Sequence, residues 1–237
     1  MTRPRPVVTI DGPAGAGKST VSRTLADRLG FVYLDTGAIY RALALAADGA
    51  GLGDAIDRSA QRSGATAEEE LALGRLAGAL RIEFRDGGRR VLLDGHDVST
   101  EIRHPEIGQR ASKVSAIPAV RRALLDLQRR LAEHGGLVAE GRDVGSVVFP
   151  DAEVKFFLTA DPLVRARRRV GDLRARGLDA DEVEVLAEIE SRDARDSSRA
   201  VAPLVCPEGA IAIDSSALDA EAVVGWMEQV LTSRNPA

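Results

Sequence analysis

Lysine is nearly missing from this chain of 237 residues: Lys18, Lys113 and Lys155 are all there are, and 29 of the 32 basic residues are arginine. Positive charge is not in excess either. The formal net charge is −4, whereas a binder of duplex DNA would usually carry a net basic domain. An acidic protein with arginines gathered at particular places suits small anionic ligands, because guanidinium grips phosphate in a bidentate fork. Cysteine is scarcer still. Cys206 stands alone, which excludes an intramolecular disulfide and a four-cysteine zinc site; beside Pro207 it reads as inert packing rather than as a nucleophile. No apolar run approaches the ~18 residues that span a bilayer. The first residues, Met1-Thr2-Arg3-Pro4-Arg5-Pro6, are basic but lead straight into an apolar segment. A signal peptide is therefore not expected, and a cytoplasmic location is. There is no internal repeat, and no low-complexity segment beyond residues 3–6.

What the chain does have is one short loop around which the rest is organised: Gly12-Pro13-Ala14-Gly15-Ala16-Gly17-Lys18-Ser19. The run Val7-Val8-Thr9-Ile10 before it reads as a buried strand. After it, Val21, Leu25, Ala26 and Leu29 recur at helical spacing. Strand, glycine-rich turn and helix together turn the pattern G-x-x-x-x-G-K-[ST] into a phosphate-binding loop. Chance in a chain of this composition gives roughly 0.003 matches. Glycine lets backbone amides approach an anion unobstructed, and the helix start adds positive potential. Gly12 to Thr20, that is Gly12, Pro13, Ala14, Gly15, Ala16, Gly17, Lys18, Ser19 and Thr20, are the candidates to bind ATP. Lys18 would reach the terminal phosphates, and Ser19 would meet the Mg²⁺ that accompanies the nucleotide.

The remaining elements follow in order. Residues 31–35 read as a second strand, and Thr36-Gly37-Ala38-Ile39-Tyr40-Arg41 opens a helix. Asp35, Thr36, Tyr40 and Arg41 stand at a strand's C-terminal end, where α/β sheets bind ligands; Thr36 as a helix cap and Arg41 as a surface residue are the plainer reading. Residues 48–66 give only loop and short helix. Thr66 with Glu69 is a capping-box start for a helix over 67–80. Alternation over 80–85, a turn at Asp86-Gly87-Gly88 and a return at Val91-Leu92-Leu93 predict a β-hairpin, followed by a turn over 94–97. The hairpin breaks the βα rhythm, so about 37–117 reads as an inserted subdomain. Pro118 starts a helix with Val120, Leu124, Leu127 and Leu131 on one face and Arg121 off it.

Leu137-Val138-Ala139 predicts a short buried strand ending at Glu140-Gly141-Arg142-Asp143, a second polar cluster at a strand end. Glu140 either stands near Mg²⁺ or holds a neighbouring loop. Residues 154–158 are another strand, and Asp161-Pro162 caps and starts the next helix. There Arg165, Arg168 and Arg169 share a face, as a solvated basic surface or as a lid over a transferring phosphoryl group. In the following helix Arg192, Asp196 and Arg199 project from one side, as a surface salt-bridge ladder of small worth or as a site for a sugar phosphate. Ala202-Pro203 ends that helix. A last strand over 210–214 and a closing helix over 218–231 follow, with Trp226 against the sheet.

Taken together, Ile10 to Thr20, Leu34 to Arg41, Asp97 to Arg103, Gly141-Arg142-Asp143, Val147-Val148-Phe149-Pro150-Asp151 and Arg192 to Leu204 resemble the bacterial cytidylate kinases, members of the nucleoside-monophosphate kinase group. The resemblance covers almost the whole chain and is weakest over 48–78. It implies an α/β fold: a P-loop NTPase-type parallel sheet flanked by helices, with an inserted monophosphate-binding subdomain containing a β-hairpin and a short helical lid. The core would be about 1–36, 118–160 and 178–237, the insert 37–117 and the lid 161–177. The implied reaction moves the γ-phosphoryl of ATP to CMP or dCMP, with Mg²⁺ bound with ATP, no nucleic acid or membrane partner, and a monomeric chain. Carried over by position, Ser112, Arg121 and Asp143 would face cytosine, and Arg192 and Asp196 would hold the sugar. Arg41, Arg142 and Arg199 would grip phosphate, while Asp35, Thr36, Tyr40 and Arg103 would line the monophosphate pocket. Lys18, Arg142, Arg165, Arg168 and Arg169 would act on the transferring group. Many relatives carry Gly where this chain has Ser19, so the Mg²⁺ contact at Ser19 rests on the general physics of phosphate loops.

Overall fold

A computed structural model describes residues 5–60 and 64–234. The chain divides into two compact units, one of residues 1–31 and 135–237 and one of residues 32–134.

The first unit begins with β1 (Val7–Asp11), buried along its length, and α1 (Lys18–Leu29). Gly17 holds a left-handed conformation at the helix start, and Gly30 does the same at its end. The second unit opens with β2 (Val32–Asp35), α2 (Thr36–Gly49) and the short α3 (Gly53–Ser59). Residues 61–63, between α3 and the next helix in sequence, lie outside the described residues. α4 (Ala67–Ala79) starts with the expected box: Glu69 N donates to Thr66 Oγ1, and Thr66 N donates to Glu69 Oε2.

β3 (Ile82–Arg85) and β4 (Arg90–Leu93) form the expected antiparallel hairpin, with Ile82 opposite Leu93. Its turn depends on Gly88, at φ 91°, where an added Cβ would lie 1.9 Å from the Tyr33 carbonyl oxygen. The turn expected over 94–97 is tighter than that, because β5 (His96–Asp97) already pairs with β4 and makes a third strand. α5 (Pro105–Val114) has no counterpart in the sequence reading. It is tied to α2 and α3 by Arg110 on Asp48 and Lys113 on Asp57.

α6 (Pro118–Arg130) corrects the expected face. Leu131 is exposed, whereas Gln128 and Arg121 are buried beside Val120 and Leu124. Both polar side chains are accommodated by backbone carbonyls: Gln128 Nε2 donates to Leu124 O at 3.2 Å and Arg121 Nη1 to Ser115 O at 3.0 Å.

The chain returns to the first unit with β6 (Leu137–Gly141), a π turn over Val144–Val148, and β7 (Val154–Thr159). α7 (Pro162–Arg174) is capped by Asp161, and α8 (Glu182–Ser198) ends earlier than Ala202-Pro203, with Arg199 as its C-cap. β8 (Ile211–Asp214) and α9 (Ala220–Arg234) complete it. Within this unit β6, β1, β7 and β8 are neighbours in that order and all parallel, a phosphate-loop α/β sheet. α1 packs on β6 and against α9, and α7 packs on α8. Trp226 touches Phe156 of β7, with ring centroids 6.4 Å apart, yet keeps 41% of its surface exposed. Cys206 is exposed, so packing does not explain it.

Parallel strands leave their C-terminal ends on one edge, and β1 and β6 end there at Asp11 and Gly141 in register. Gly12 turns the chain off that edge at φ 149°, with a would-be Cβ 1.9 Å from the Leu158 carbonyl oxygen of β7. Replacement by alanine must force two strands apart. Gly12→Ala is expected to lower stability by more than about 3 kcal/mol. Gly51→Ala, at φ 72° but in open space, is expected to cost about 1 kcal/mol. Equal denaturation midpoints for the two variants would contradict the close approach.

Candidate functional site

The phosphate loop leaves β1 at Gly12 and enters α1 at Lys18, with Gly15 and Gly17 at positive φ. A helix start carries N–H groups that no preceding turn can satisfy. Here no side chain caps it and no acid occupies its first turn. Such a start favours an anion. Ser19 and Thr20 are exposed at the same turn, and Ala16 is buried beneath it. Lys18 is only 6% exposed, and its Nζ donates to Pro13 O at 2.6 Å. Burial pushes its pKa down to about 7, assisted by the positive charges of Arg142 and Arg192 and opposed by Glu140 and Asp11.

The end of β6 supplies the neighbouring charges. Glu140 and Asp143 are both buried. Asp11, which the sequence reading did not select, is buried beside them; its two carboxylate oxygens accept from Val144 N and Gly145 N, each at 2.7 Å. Burial raises its pKa to about 6, Asp143 adds to the rise, and the two amides and Lys18 oppose it. Gly145 is needed there, since a Cβ would come within 2.6 Å of Thr9 Oγ1.

Arg142 Nε donates to Asp196 Oδ2 at 2.8 Å, and Arg199 pairs with Asp196 Oδ1. Asp196 is 1% exposed. That burial would raise its pKa, but Arg142, Arg199 and Arg192 overcome it and hold the carboxyl below its ordinary range. In the same way burial opposes the charge of Arg142, and Asp196, Asp193 and Glu140 outweigh it, so its pKa is raised. The surface-ladder reading of Arg192, Asp196 and Arg199 is thus corrected. The carboxylate at its centre is in the interior.

On α7, Arg165 is buried against the phosphate loop, donating to Ala14 O at 3.0 Å and Ala160 O at 2.9 Å and pairing with Asp193. Arg168 donates to Ser215 O at 2.6 Å and Ser215 Oγ at 3.0 Å. Arg169 is half-buried. The three are therefore not a uniformly solvated basic face.

The second unit holds its own cluster. Asp35 rather than Thr36 caps α2, accepting from Ala38 N at 3.0 Å, and it pairs with Arg41. Burial works against its charge, yet Arg41, Arg103 and the amide hold its pKa below the ordinary value. Thr36 is buried in the first turn. The Arg121 guanidinium lies 5.6 Å from the centre of the Tyr40 ring, within cation–π range. Ser112 is buried near by in sequence and structure: Ser115, whose carbonyl receives Arg121, donates its Oγ to Ser112 O at 2.9 Å. The Ser112 hydroxyl itself has no hydrogen-bond partner among the described residues.

Sequence reasoning missed Asp11, Asp193 and Ser215. Asp11 could have been found by the rule that selected Asp35 and Glu140, since it too is the polar residue ending an apolar strand. Asp193 and Ser215 carry no such local mark.

A family model described as Cytidylate kinase matches residues 8–233. A curated protein of that name from Methylococcus capsulatus is 50% identical over 220 residues, covering 92% of this chain and 93% of its own. Another, from Syntrophotalea carbinolica, is 47% identical over 230 residues, covering 96% and 92%. Among solved structures, an uncharacterized protein from Eubacterium ventriosum aligns over 97% of this chain and 99% of its own with a TM-score of 0.50 at 12% identity, a likeness of fold alone.

The depressed pKa of Lys18 has a measurable sign. Near pH 7.5 a group with pKa about 7 is mostly neutral, and a polyphosphate beside it raises that pKa and draws in a proton. Titration calorimetry of a nucleoside triphosphate at pH 7.5, in buffers of different ionisation enthalpy, is expected to show uptake of about half a proton or more. Lys18→Met should abolish the buffer dependence. Its persistence in that variant would place the proton elsewhere.

Proposed function

Because the chain belongs to the cytidylate kinase family, we propose that it transfers the γ-phosphoryl group of ATP to CMP or dCMP, giving CDP or dCDP and ADP, within pyrimidine nucleotide metabolism. The observation that carries this reading is the buried Asp196, held by Arg142 and Arg199 in the same unit as the phosphate loop. Buried charges persist only when well paired. Two arginines on one carboxylate, with Arg192 acting on it as well, leave positive charge to meet an anion.

In this reading Gly12 to Thr20 bind the ATP phosphates, with Lys18 at the terminal ones. Arg142 and Arg199, with Arg41 of the second unit, grip the acceptor's phosphate, while Arg192 and Asp196 hold its sugar. Asp35, Thr36, Tyr40 and Arg103 line the monophosphate pocket. Ser112, Arg121 and Asp143 read the base, and the unpaired buried hydroxyl of Ser112 supports that role, since a buried polar group without a partner calls for one. Cytosine offers an exocyclic amino donor where uracil offers a carbonyl, so Asp143 discriminates by leaving the wrong base unpaired. The acceptor phosphate is already an anion at neutral pH. No protein nucleophile or general base is required, and the work is positioning and charge neutralisation by Lys18, Arg142, Arg165, Arg168 and Arg169.

Mg²⁺ enters with the nucleotide in this reading. Ser19 offers an exposed hydroxyl at the helix start and Glu140 a buried carboxylate acting on Lys18. Among the described residues no three acids, imidazoles or thiols cluster as a metal cage. That donor set fits a cation that keeps water and phosphate oxygens as most of its ligands. Bound there, the ion would offset negative charge on the phosphate oxygens. A monomeric cytoplasmic enzyme completes the proposal; no helix among the described residues is long and apolar enough to cross a membrane.

A coupled assay for ADP release across CMP, dCMP, UMP, AMP and shikimate tests the reading. CMP or dCMP should be turned over fastest, and UMP or AMP turned over as well as CMP would overturn it. Asp143→Ala is expected to raise KM for CMP by about 10- to 100-fold while moving KM for ATP by less than about 3-fold. Lys18→Ala should lower kcat by about 10²-fold or more.

A further inference from the structure

Asp193 lies on α8 one residue after Arg192 and three before Asp196, and nothing in the reading above uses it. Its carboxylate joins three elements. Oδ1 accepts from the backbone N–H of Ala14 in the phosphate loop at 3.3 Å, and Oδ2 pairs with Arg165 of α7. Arg165 Nη1 closes the triangle by donating to Ala14 O at 3.0 Å, so both backbone polar groups of Ala14 are held by this ion pair. The junction is tight as well as polar: a Cβ on Gly15 would lie 3.0 Å from the Arg165 carbonyl oxygen and 3.1 Å from its Cβ. Arg165 is buried, with a side chain 7% exposed against 20% for Asp193.

Residues three apart on a helix are neighbours on its surface, and a helical turn moves as one piece. Asp196 engages Arg142 and Arg199, while Asp193 engages the loop and Arg165. One turn of α8 therefore holds the arginine cluster with one carboxylate and the phosphate loop with another. We infer that Asp193 is a positioning residue that couples the two substrates, setting Ala14 and Arg165 according to where the acceptor draws α8. This rests on the assignment of Asp196 and its arginines to the acceptor. Coupling of this kind is reciprocal: if CMP tightens the ATP site by some factor, ATP tightens the CMP site by the same factor.

The test measures the dissociation constant of a non-hydrolysable ATP analogue with and without saturating CMP, in the full-length protein and in Asp193→Asn and Asp193→Ala. The asparagine keeps an oxygen for Ala14 N–H and removes the charge that Arg165 pairs with, so it guards against a variant that fails to fold. In the unaltered protein CMP should tighten the analogue at least about 5-fold. Both variants should bring that factor close to one and lower kcat by about 10-fold or more, while each substrate alone binds within about 3-fold of its original affinity. A role confined to stability would lower the melting temperature and leave the coupling factor intact; that result would overturn the inference. So would the absence of coupling in the unaltered protein. If the unaltered protein turns over CMP with full coupling and the variants match it, only this inference fails, whereas no turnover of CMP at all overturns the functional reading and this inference with it.

Discussion

A lysine whose charged form is opposed by its own burial is the constraint on which the rest depends. Lys18 sits in the interior at the first turn of α1, and the nearest strong charges include two more cations, Arg142 and Arg192. Charge in a low-dielectric interior is costly unless it is paired. Glu140 and Asp11 favour the charged form of Lys18, and Asp196 favours that of Arg142. In the proposed reading, a phosphate at the loop favours the charged form of Lys18 and offsets the positive charge of both arginines.

Backbone proximity is what holds this charge in place. Gly12 lets β1 pass against the Leu158 carbonyl, Gly15 lets the loop meet the backbone of α7, and Gly145 lets the turn after β6 close over Thr9 and Asp11. Asp11 then ties the end of β1 to the amides that follow Asp143. The end of β1 and the turn after β6 thus share one carboxylate. Its raised pKa is the cost of placing that carboxylate in the interior.

Local signals carried much of this into the sequence. The glycine-rich loop, the Thr66 and Glu69 box and the Asp161-Pro162 start each act over a few residues, and each stands as read. Helical spacing put Arg192, Asp196 and Arg199 on one side of a helix, but spacing cannot say whether that side meets water or the interior. Arg121 was misplaced for the same reason, and Gln128 went unselected: carbonyls accept them, and a carbonyl leaves no mark in the sequence. Asp11 and Asp193 act on amides 133 and 179 residues away. Only the folded chain brings such partners together, and α5 was hidden because its ion pairs reach back to Asp48 and Asp57.

The exposed thiol has a consequence of its own. Because Cys206 is the chain's sole cysteine and it faces solvent, each molecule has a covalent valence of one towards oxidation. Air or peroxide can join two copies through a single bridge, but never a third, so oxidative cross-linking of this protein stops at a pair.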